Sequence, residues 1–405
     1  MCNMEKFRKL ALSENILKAI EEAQFIEPSE IQEKTIPLVL EGKDVLGSSA
    51  TGSGKTLAFG AGIIERIKKG KGVQALILTP TRELTQQVTS TLGKFSKHFH
   101  LNVCEIYGGV GIVPQIRNLL YAEIVVGTPG RIKDHLERKT LNLSKLKFLV
   151  LDEADRMLDM GFIRDVEIII HACPKERQTL LFSATISQEI EHLSKKYMKN
   201  PVYISVESYV DPSKLEQTYY NAPQEVKFSL LLHLLKKEKS RLVLVFCNTR
   251  RNADRVANNL KRYDLHATAI HGGLAQNKRT SIMKEFNSKE THVLVCTDVA
   301  ARGLDIPNVS HVYNYDVPKT SSEYIHRIGR TARAGKEGKA ITLVSPHDYE
   351  NFNNVCEDSS LNIKKEEAPF IKIVQVSFKP ERRPYGRDFS RPHSRQFRPN
   401  RFRRR

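Results

Sequence analysis

Short runs of Val, Ile and Leu recur along the chain, and longer amphipathic stretches separate them. In the first half the runs are VQALILTP (73–80), VCEIYGG (103–109), EIVVGTPG (123–130), FLVLDEAD (148–155), TLLFSAT (179–185) and VYISV (202–206). Most end in Gly, Pro, Thr or Asp, and helix-like stretches such as RELTQQVTSTLGKFSKHF (82–99) lie between them. Near-continuous apolar strands must be covered on both faces, so the alternation predicts a parallel sheet with helices on either side. The second half repeats it with RLVLVFCNT (241–249), HATAIHGG (266–273), THVLVCTD (291–298), HVYNYDVP (311–318) and KAITLVSP (339–346). The chain is therefore expected to be α/β. One unit covers 1–207, a linker punctuated by Pro212 covers 208–214, a second unit covers 215–365 and an extension covers 366–405.

Composition narrows the function. A chain of 405 residues can bury two cores. No apolar run approaches the roughly 18 to 20 residues of a membrane span. The start, MCNMEKFRKL, lacks the apolar core of a secretory signal, which predicts an intracellular protein, not secreted and with no membrane partner. The six cysteines are scattered without a CxxC pair, which argues against a zinc site or a disulfide framework. A net charge of +18 points to a polyanionic partner. Half of it, +9, falls from Lys379 onward, where ten arginines and one lysine outnumber Glu381 and Asp388. This basic, Pro-rich C-terminal tail is expected to be disordered. With Tyr385, Phe389, Phe397 and Phe402 among its arginines it suits RNA attachment, and a nuclear-import signal or a solubilising tail would share its composition.

Ligands of open parallel sheets bind beyond the carboxyl ends of the strands, and the unusual polar clusters of this chain sit there. SATGSGKT (49–56) fits a phosphate-binding loop. Gly52 and Gly54 let backbone N–H groups face an anion, Lys55 reaches the terminal phosphates, and Thr56 ligates magnesium. The helix that starts there adds its positive end. The generic pattern begins with Gly, whereas position 49 is Ser; a Gly/Ser-rich surface turn is the plain alternative. VLDEADRML (150–158) runs an apolar strand into carboxylates that are costly to bury without partners. Alone, it could simply cap a helix. Beside a phosphate loop, Asp152 suits the magnesium and Glu153 suits the activation of a water.

GSGKT, PTREL (80–84), TPGR (128–131), DEAD (152–155), SAT (183–185), TDVAARGLD (297–305) and HRIGRTAR (326–333) resemble, in order and spacing, the motifs of DEAD-box RNA helicases. The resemblance covers about residues 5 to 365. It implies two tandem RecA-like domains, ATP and Mg2+ as cofactors, and RNA, single-stranded or in short duplexes, as partner. For the nucleotide it implies Phe7 stacking on the base, Gln32 of FIEPSEIQ (25–32) reading adenine, and Asp305 on the ribose. Residue type alone also allows Phe7 to be core packing. Ala50, Thr51, Gly52, Ser53, Gly54, Lys55 and Thr56 would surround the phosphates, with Thr56 and Asp152 on the metal. Catalysis would rest on Lys55, Asp152, Glu153 and two arginine fingers, Arg330 and Arg333.

The same resemblance assigns RNA-backbone contacts to Thr81, Arg82, Gly109 beside Gly108, Thr128, Arg131, Arg279 of QNKR (276–279) and Thr297. Ser183, Thr185 and His326 would couple hydrolysis to strand separation, with Ser183 and Thr185 hydrogen-bonded to the DEAD acids. The three-residue spacing of Arg327, Arg330 and Arg333 predicts one helix face, for which a solvated basic face is the default alternative. Ala332 stands where the motif often carries Gly. The expected function is an ATP-dependent RNA helicase that couples hydrolysis to local unwinding or ribonucleoprotein remodelling. SATGSGKT, DEADRMLDMGF and HRIGRTARAGKEG look most similar to helicases of ribosome assembly, which implies a pre-ribosomal particle or protein activator as partner, a monomer, and a nuclear or nucleolar place in a eukaryotic cell. Alternatives are an ATP-gated RNA clamp with little unwinding, a DNA translocase, and a binding module without catalysis.

Overall fold

The computed structural model describes residues 4–49, 52–206, 214–237, 242–301, 309–332 and 337–377. Ala50, Thr51, Asp305, Arg333, nearly all of the linker and the Arg-rich segment after residue 377 lie outside the described residues. The first half supplies strands β1 (Val45–Ser48), β2 (Ala75–Leu78), β3 (Val103–Ile106), β4 (Ile124–Gly127), β5 (Phe148–Leu151), β6 (Gln178–Ser183) and β7 (Val202–Ser205). They form one parallel sheet in the order β3-β4-β2-β5-β6-β1-β7. The second half supplies β8 (Leu215–Asn221), β9 (Val243–Phe246), β10 (Ala267–Ile270), β11 (Val293–Cys296), β12 (His311–Asn314), β13 (Gly338–Val344) and β14 (Lys364–Glu366). Their parallel order is β10-β11-β9-β12-β13-β8-β14.

The period of two along each strand explains why both faces are covered. Phe148 and Val150 of β5 enter one core of the first domain, and Leu149 and Leu151 enter the other. Strand β9 does the same in the second domain, with Val243 and Val245 on one side and Leu244 and Phe246 on the other. Each such buried aliphatic or aromatic side chain contributes roughly 1.5–3 kcal/mol. The crossover helices follow helical spacing: in the helix Arg82–Phe95, Leu84, Val88, Leu92 and Phe95 are buried. Thr81 starts that helix by accepting from the Leu84 N–H at 3.3 Å.

Three features depart from the expectations. Leu215–Asn221, inside the expected second unit but in none of its apolar runs, forms strand β8 between β13 and β14. Its burial alternates along its length, which lacks the continuous apolar signal of the other strands. The expected boundary at 365 falls inside β14, and the packed body runs on to Ser377. Ile371, Val374 and Val376 lie against the second domain's core, and Asn259 exchanges two hydrogen bonds with Ser377, at 2.8 and 3.1 Å.

The third departure concerns the arginines. The helix Ser321–Ile328 stops at Gly329, so Arg327 and Arg330 do not share a helix face. Thr331 donates to the Val309 carbonyl at 2.6 Å and draws the chain away from the helix axis. Arg327 turns inward and is bidentate to Asp298, at 2.7 and 2.6 Å, with further bonds to Asn314, Asn248 and the Asp316 carbonyl. It also sits over the Phe246 ring at 5.1 Å. It is an internal brace of the second domain, neither solvated nor directed at a ligand. Ala332 has φ +54°, in the left-handed region that disfavours a Cβ. Ala332→Gly is therefore expected to stabilise the second domain by about 0.5–1 kcal/mol, read as a higher melting temperature; a lower one would show that this turn carries no strain.

Candidate nucleotide and RNA sites

Strand β1 leads into the phosphate loop, and the helix Lys55–Arg66 follows it. Gly52 and Gly54 have φ +86° and +92°, and a Cβ at Gly54 would collide with the Gln32 side chain. Ser49 adopts no left-handed backbone, so glycine is not required there. Its hydroxyl lies 3.1 Å from that of Ser53, and its carbonyl accepts from the buried Lys55 Nζ at 2.9 Å. Thr56 is half-buried in the first turn of the helix.

Ser29 and Gln32 brace this loop from the start of the helix Glu30–Leu40. The Ser29 N–H donates to Gln32 Oε1 at 3.0 Å, and the Ser29 hydroxyl donates to the Ser53 carbonyl at 2.7 Å. Gln32 Nε2 donates to the Gly54 carbonyl at 3.1 Å. The Gln32 amide, expected to face adenine, is thus buried and engaged with the loop and its own helix cap. Phe7 is fully buried in a core shared with Leu10, Ile16 and Ile31. The apolar sides of the first helices close over the ring, which is the core-packing arrangement that residue type also allows.

Beyond β5 the chain presents Asp152, Glu153 and Asp155, all buried. Asp152 Oδ1 has no hydrogen-bond partner among the described residues. Burial raises its pKa to about 6, against the attraction of Lys55 and with added repulsion from Glu153 and Asp155. An acceptor-only oxygen buried in this way fits a cation. Among the described residues no three His, Cys, Asp or Glu side chains cluster as a metal cage.

Burial acts on Glu153 in the same upward sense, but Arg156, Lys55, Arg330 and His326 outweigh it and hold the carboxyl below the ordinary glutamate value. Arg330 and His326 belong to the second domain, so charge from both halves converges on Glu153. Arg330 is itself buried. The SAT segment does bond a DEAD acid, and the acid is Asp155. Asp155 Oδ2 accepts from the Ala184 N–H at 3.2 Å, the Thr185 N–H at 3.1 Å and the Thr185 hydroxyl at 3.2 Å. Ser183 Oγ accepts from the Asp155 N–H at 3.2 Å.

A second site lies between the domains, a cavity of about 480 Å³. Thr81, Arg82, Glu83, Thr128 and Arg131 line it from the first domain, and Gly272, Leu274 and Arg279 from the second. It gathers most of the expected RNA contacts. Gly109, φ +81°, lies under the Arg82 guanidinium, where any side chain would collide. Arg131 is held by the Val110 carbonyl at 3.2 Å and by Gln115 at 3.3 Å. Thr297 is buried at the end of β11 and its carbonyl starts the helix Asp298–Ala301, outside the lining of this cavity. Arg279, expected on phosphate, pairs across the cleft with Glu83 at 3.0 Å, and Gln276 donates to the same carboxylate at 3.0 Å.

Glu83 and Arg156 carry no expected site role in the sequence. Glu83 sat inside PTREL. Arg156, on the helix Ala154–Asp159, stands three residues after Glu153 at its N-cap, a spacing at which an ion pair is possible.

The family model for DEAD/DEAH box helicases matches residues 29–193, and that for the helicase conserved C-terminal domain matches residues 226–335. The ATP-dependent RNA helicase CshA of Listeria monocytogenes is 47% identical over 369 residues, 90% of this chain and 71% of that protein. The chain belongs to the DEAD-box helicase family. Its two parallel sheets are accordingly the tandem RecA-like domains, and it is an RNA-dependent ATPase that uses ATP with Mg2+. The Listeria relative is bacterial, so it gives the expected nuclear place no support.

Two solved structures bear on the arrangement of the domains. A DEAD box protein from the hyperthermophile Methanococcus jannaschii is 43% identical, with TM-score 0.55 over 89% of this chain and 99% of that one. S. cerevisiae Dbp5 bound to RNA and ADP BeF3 is 31% identical, with TM-score 0.80 over 90% of this chain and 96% of that one. The whole-chain superposition is thus better on the RNA- and nucleotide-bound helicase than on the closer sequence.

The titration of Asp152 has a consequence for nucleotide binding. Its folded pKa lies above the ordinary 3.8, so the ionised form burdens the ligand-free fold as pH rises from 3.8 to about 6. A cation relieves that burden by displacing the proton. Mg2+-dependent ATP binding is expected to weaken as pH falls from about 7 to about 5, approaching tenfold per unit below the pKa, in calorimetric titrations. Asp152→Asn should flatten the profile; a flat profile in the unaltered protein would contradict this placement of the cation.

Proposed function

We propose that this DEAD-box helicase hydrolyses ATP in a closed state that RNA and nucleotide stabilise together, and uses closure to unpair short duplexes. The observation that carries this reading is the convergence of Lys55 and Arg156 from one domain, and Arg330 and His326 from the other, on Glu153. A group that needs charge from two domains is complete only when they meet.

Each residue then has a task. The loop N–H groups and Lys55 bind the phosphates. Thr56 and Asp152 would hold the magnesium, which when bound would neutralise charge on the phosphate oxygens. Glu153 accepts the proton of the attacking water. Arg330, with Arg333, offsets the charge that develops on the transferred phosphoryl group. Thr81, Arg82, Thr128 and Arg131 contact one RNA strand through its backbone, without sequence preference. The bonds from Asp155 to Thr185 and Ala184 tie the nucleotide end of β5 to β6, so a shift of one is felt by the other. We extend the proposal to ribonucleoprotein remodelling in ribosome assembly, supported by the motif resemblance and the basic tail; crosslinking the protein to RNA in cells would test it by recovering ribosomal precursors or other RNAs.

The clamp reading draws on a separate observation. Glu83, Gln276 and Arg279 lock the two domains at the RNA cleft, and a lock of this kind favours long RNA residence. The ratio of duplex unwinding to RNA-bound lifetime separates the two readings. Glu153→Gln is expected to lower RNA-stimulated ATPase activity by about a hundredfold or more, with ATP affinity changed by less than about threefold. Full activity in that variant would sink the mechanism.

A further inference from the structure

Arg156 follows the DEAD motif directly and is almost fully buried. Its Nη1 donates to Glu153 Oε2 at 2.8 Å, and the two side chains are 2% and 4% exposed. Its Nη2 meets no acceptor among the described residues. Native proteins seldom leave a buried guanidinium donor unmatched, so stability alone gives little reason for an arginine here. Glu153 also carries left-handed backbone, φ 54° and ψ 52°, at the start of the helix Ala154–Asp159. A side-chain residue holds that conformation only where its surroundings fix it. The backbone and one carboxylate oxygen of Glu153 are therefore held from within the first domain.

We propose that Arg156 is a positioning residue for ATP hydrolysis, holding the Glu153 carboxylate through Oε2 in the orientation that meets the attacking water. The proposal rests on the reading of Glu153 as the proton acceptor. In the step it serves, a water O–H bond breaks and its proton goes to the Glu153 carboxylate. The water oxygen bonds to the γ-phosphorus, and the bridging P–O bond to the β-phosphate breaks with its electron pair leaving on ADP. Arg156 keeps its protons throughout and touches neither the water nor the phosphate. Its contribution is orientation: a glutamate has several rotatable bonds, and a fixed carboxylate reaches the transition state with less freedom to lose. The division of labour follows from position. Arg156 aims the carboxylate at all times, whereas Arg330 contributes from the second domain only when that domain is docked.

The test uses the full chain, with Arg156→Met, Arg156→Lys, Glu153→Gln and the double variant Arg156→Met/Glu153→Gln. RNA-stimulated kcat, KM for ATP, and RNA affinity with a non-hydrolysable ATP analogue are measured. Arg156→Met is expected to lower kcat by about ten- to a hundredfold, while KM and analogue-dependent RNA affinity change by less than about threefold. Arg156→Lys, which keeps a donor cation, should recover a substantial part of kcat. Arg156→Met leaves a buried carboxylate without its partner, so folding is controlled with the double variant, which should bind analogue and RNA as Glu153→Gln does. A kcat within about twofold of the parent in Arg156→Met overturns the proposal. So does a fall in RNA affinity as large as the fall in kcat, or a lysine variant no better than the methionine one. If Glu153→Gln is inactive and Arg156→Met is active, the positioning role fails alone; if Glu153→Gln is active, the underlying reading fails with it.

Discussion

Two carboxylates buried side by side at the end of one strand cannot both stay ionised unless counter-charge reaches them. The architecture around Asp152 and Glu153 can be understood as the answer to that constraint. Lys55 arrives from the loop after β1, and its charge favours ionisation of both acids. Arg156 arrives from the helix that the acids themselves begin. Arg330 and His326 arrive from the other domain. Glu153 takes most of this compensation and is held ionised, whereas Asp152 is left raised, with one oxygen unmatched. Adjacent acids thus receive opposite environments, which suits one to a proton and the other to a cation.

Strand order sorts the ligands. In the first sheet β5 stands between two groups of strands. On one side, β2, β4 and β3 end in Pro80–Glu83, Thr128 and Gly108–Gly109, which face or border the RNA cleft. On the other side, β6 and β1 end in the SAT segment and the phosphate loop. The second sheet repeats the division: β10 ends beside Gly272 of the cleft, while the chain after β12 leads to Arg330. Under the proposed assignment, nucleotide and RNA would occupy neighbouring parts of one interdomain seam, with the acids of β5 where the two parts meet.

Much of this was legible in the sequence, for a specific physical reason. Strands buried on both faces, such as β5 and β9, write themselves as continuous apolar runs, and a phosphate loop needs glycines and a lysine at fixed spacing. What depends on burial of polar side chains was not legible. Three arginines at equal spacing looked equivalent, yet Gly329 ends the helix and Arg327 is consumed by Asp298 while Arg330 faces the seam. Phe7 looked like a base-stacking ring because type and position cannot say which side of a short helix is covered. Gln32 was identified as an amide with a partner, but the partner here is the loop backbone. Strand β8 lies inside the expected second unit but has no continuous apolar run, so its place is evident only once β13 and β14 lie beside it.

The two cross-domain contacts have different chemistry, and that difference bears on how the ligands act on each other. At the cleft lined by the expected RNA contacts the contact is complete within the protein: Glu83 meets Arg279 and Gln276, and partial burial lowers the pKa of Arg279, chiefly by desolvation. At the nucleotide the contact is a convergence of charge on Glu153 that a phosphate and its cation would extend. Closure can therefore be held at one end by protein alone, but it becomes competent for hydrolysis only when the other end is filled. A ligand that favours the docked arrangement at either end lowers the cost of docking for the other by the same amount. The linkage needs no relay of side chains between the sites, because both bias the same rigid-body equilibrium. RNA stimulation of the ATPase is on this view a property of the shared seam.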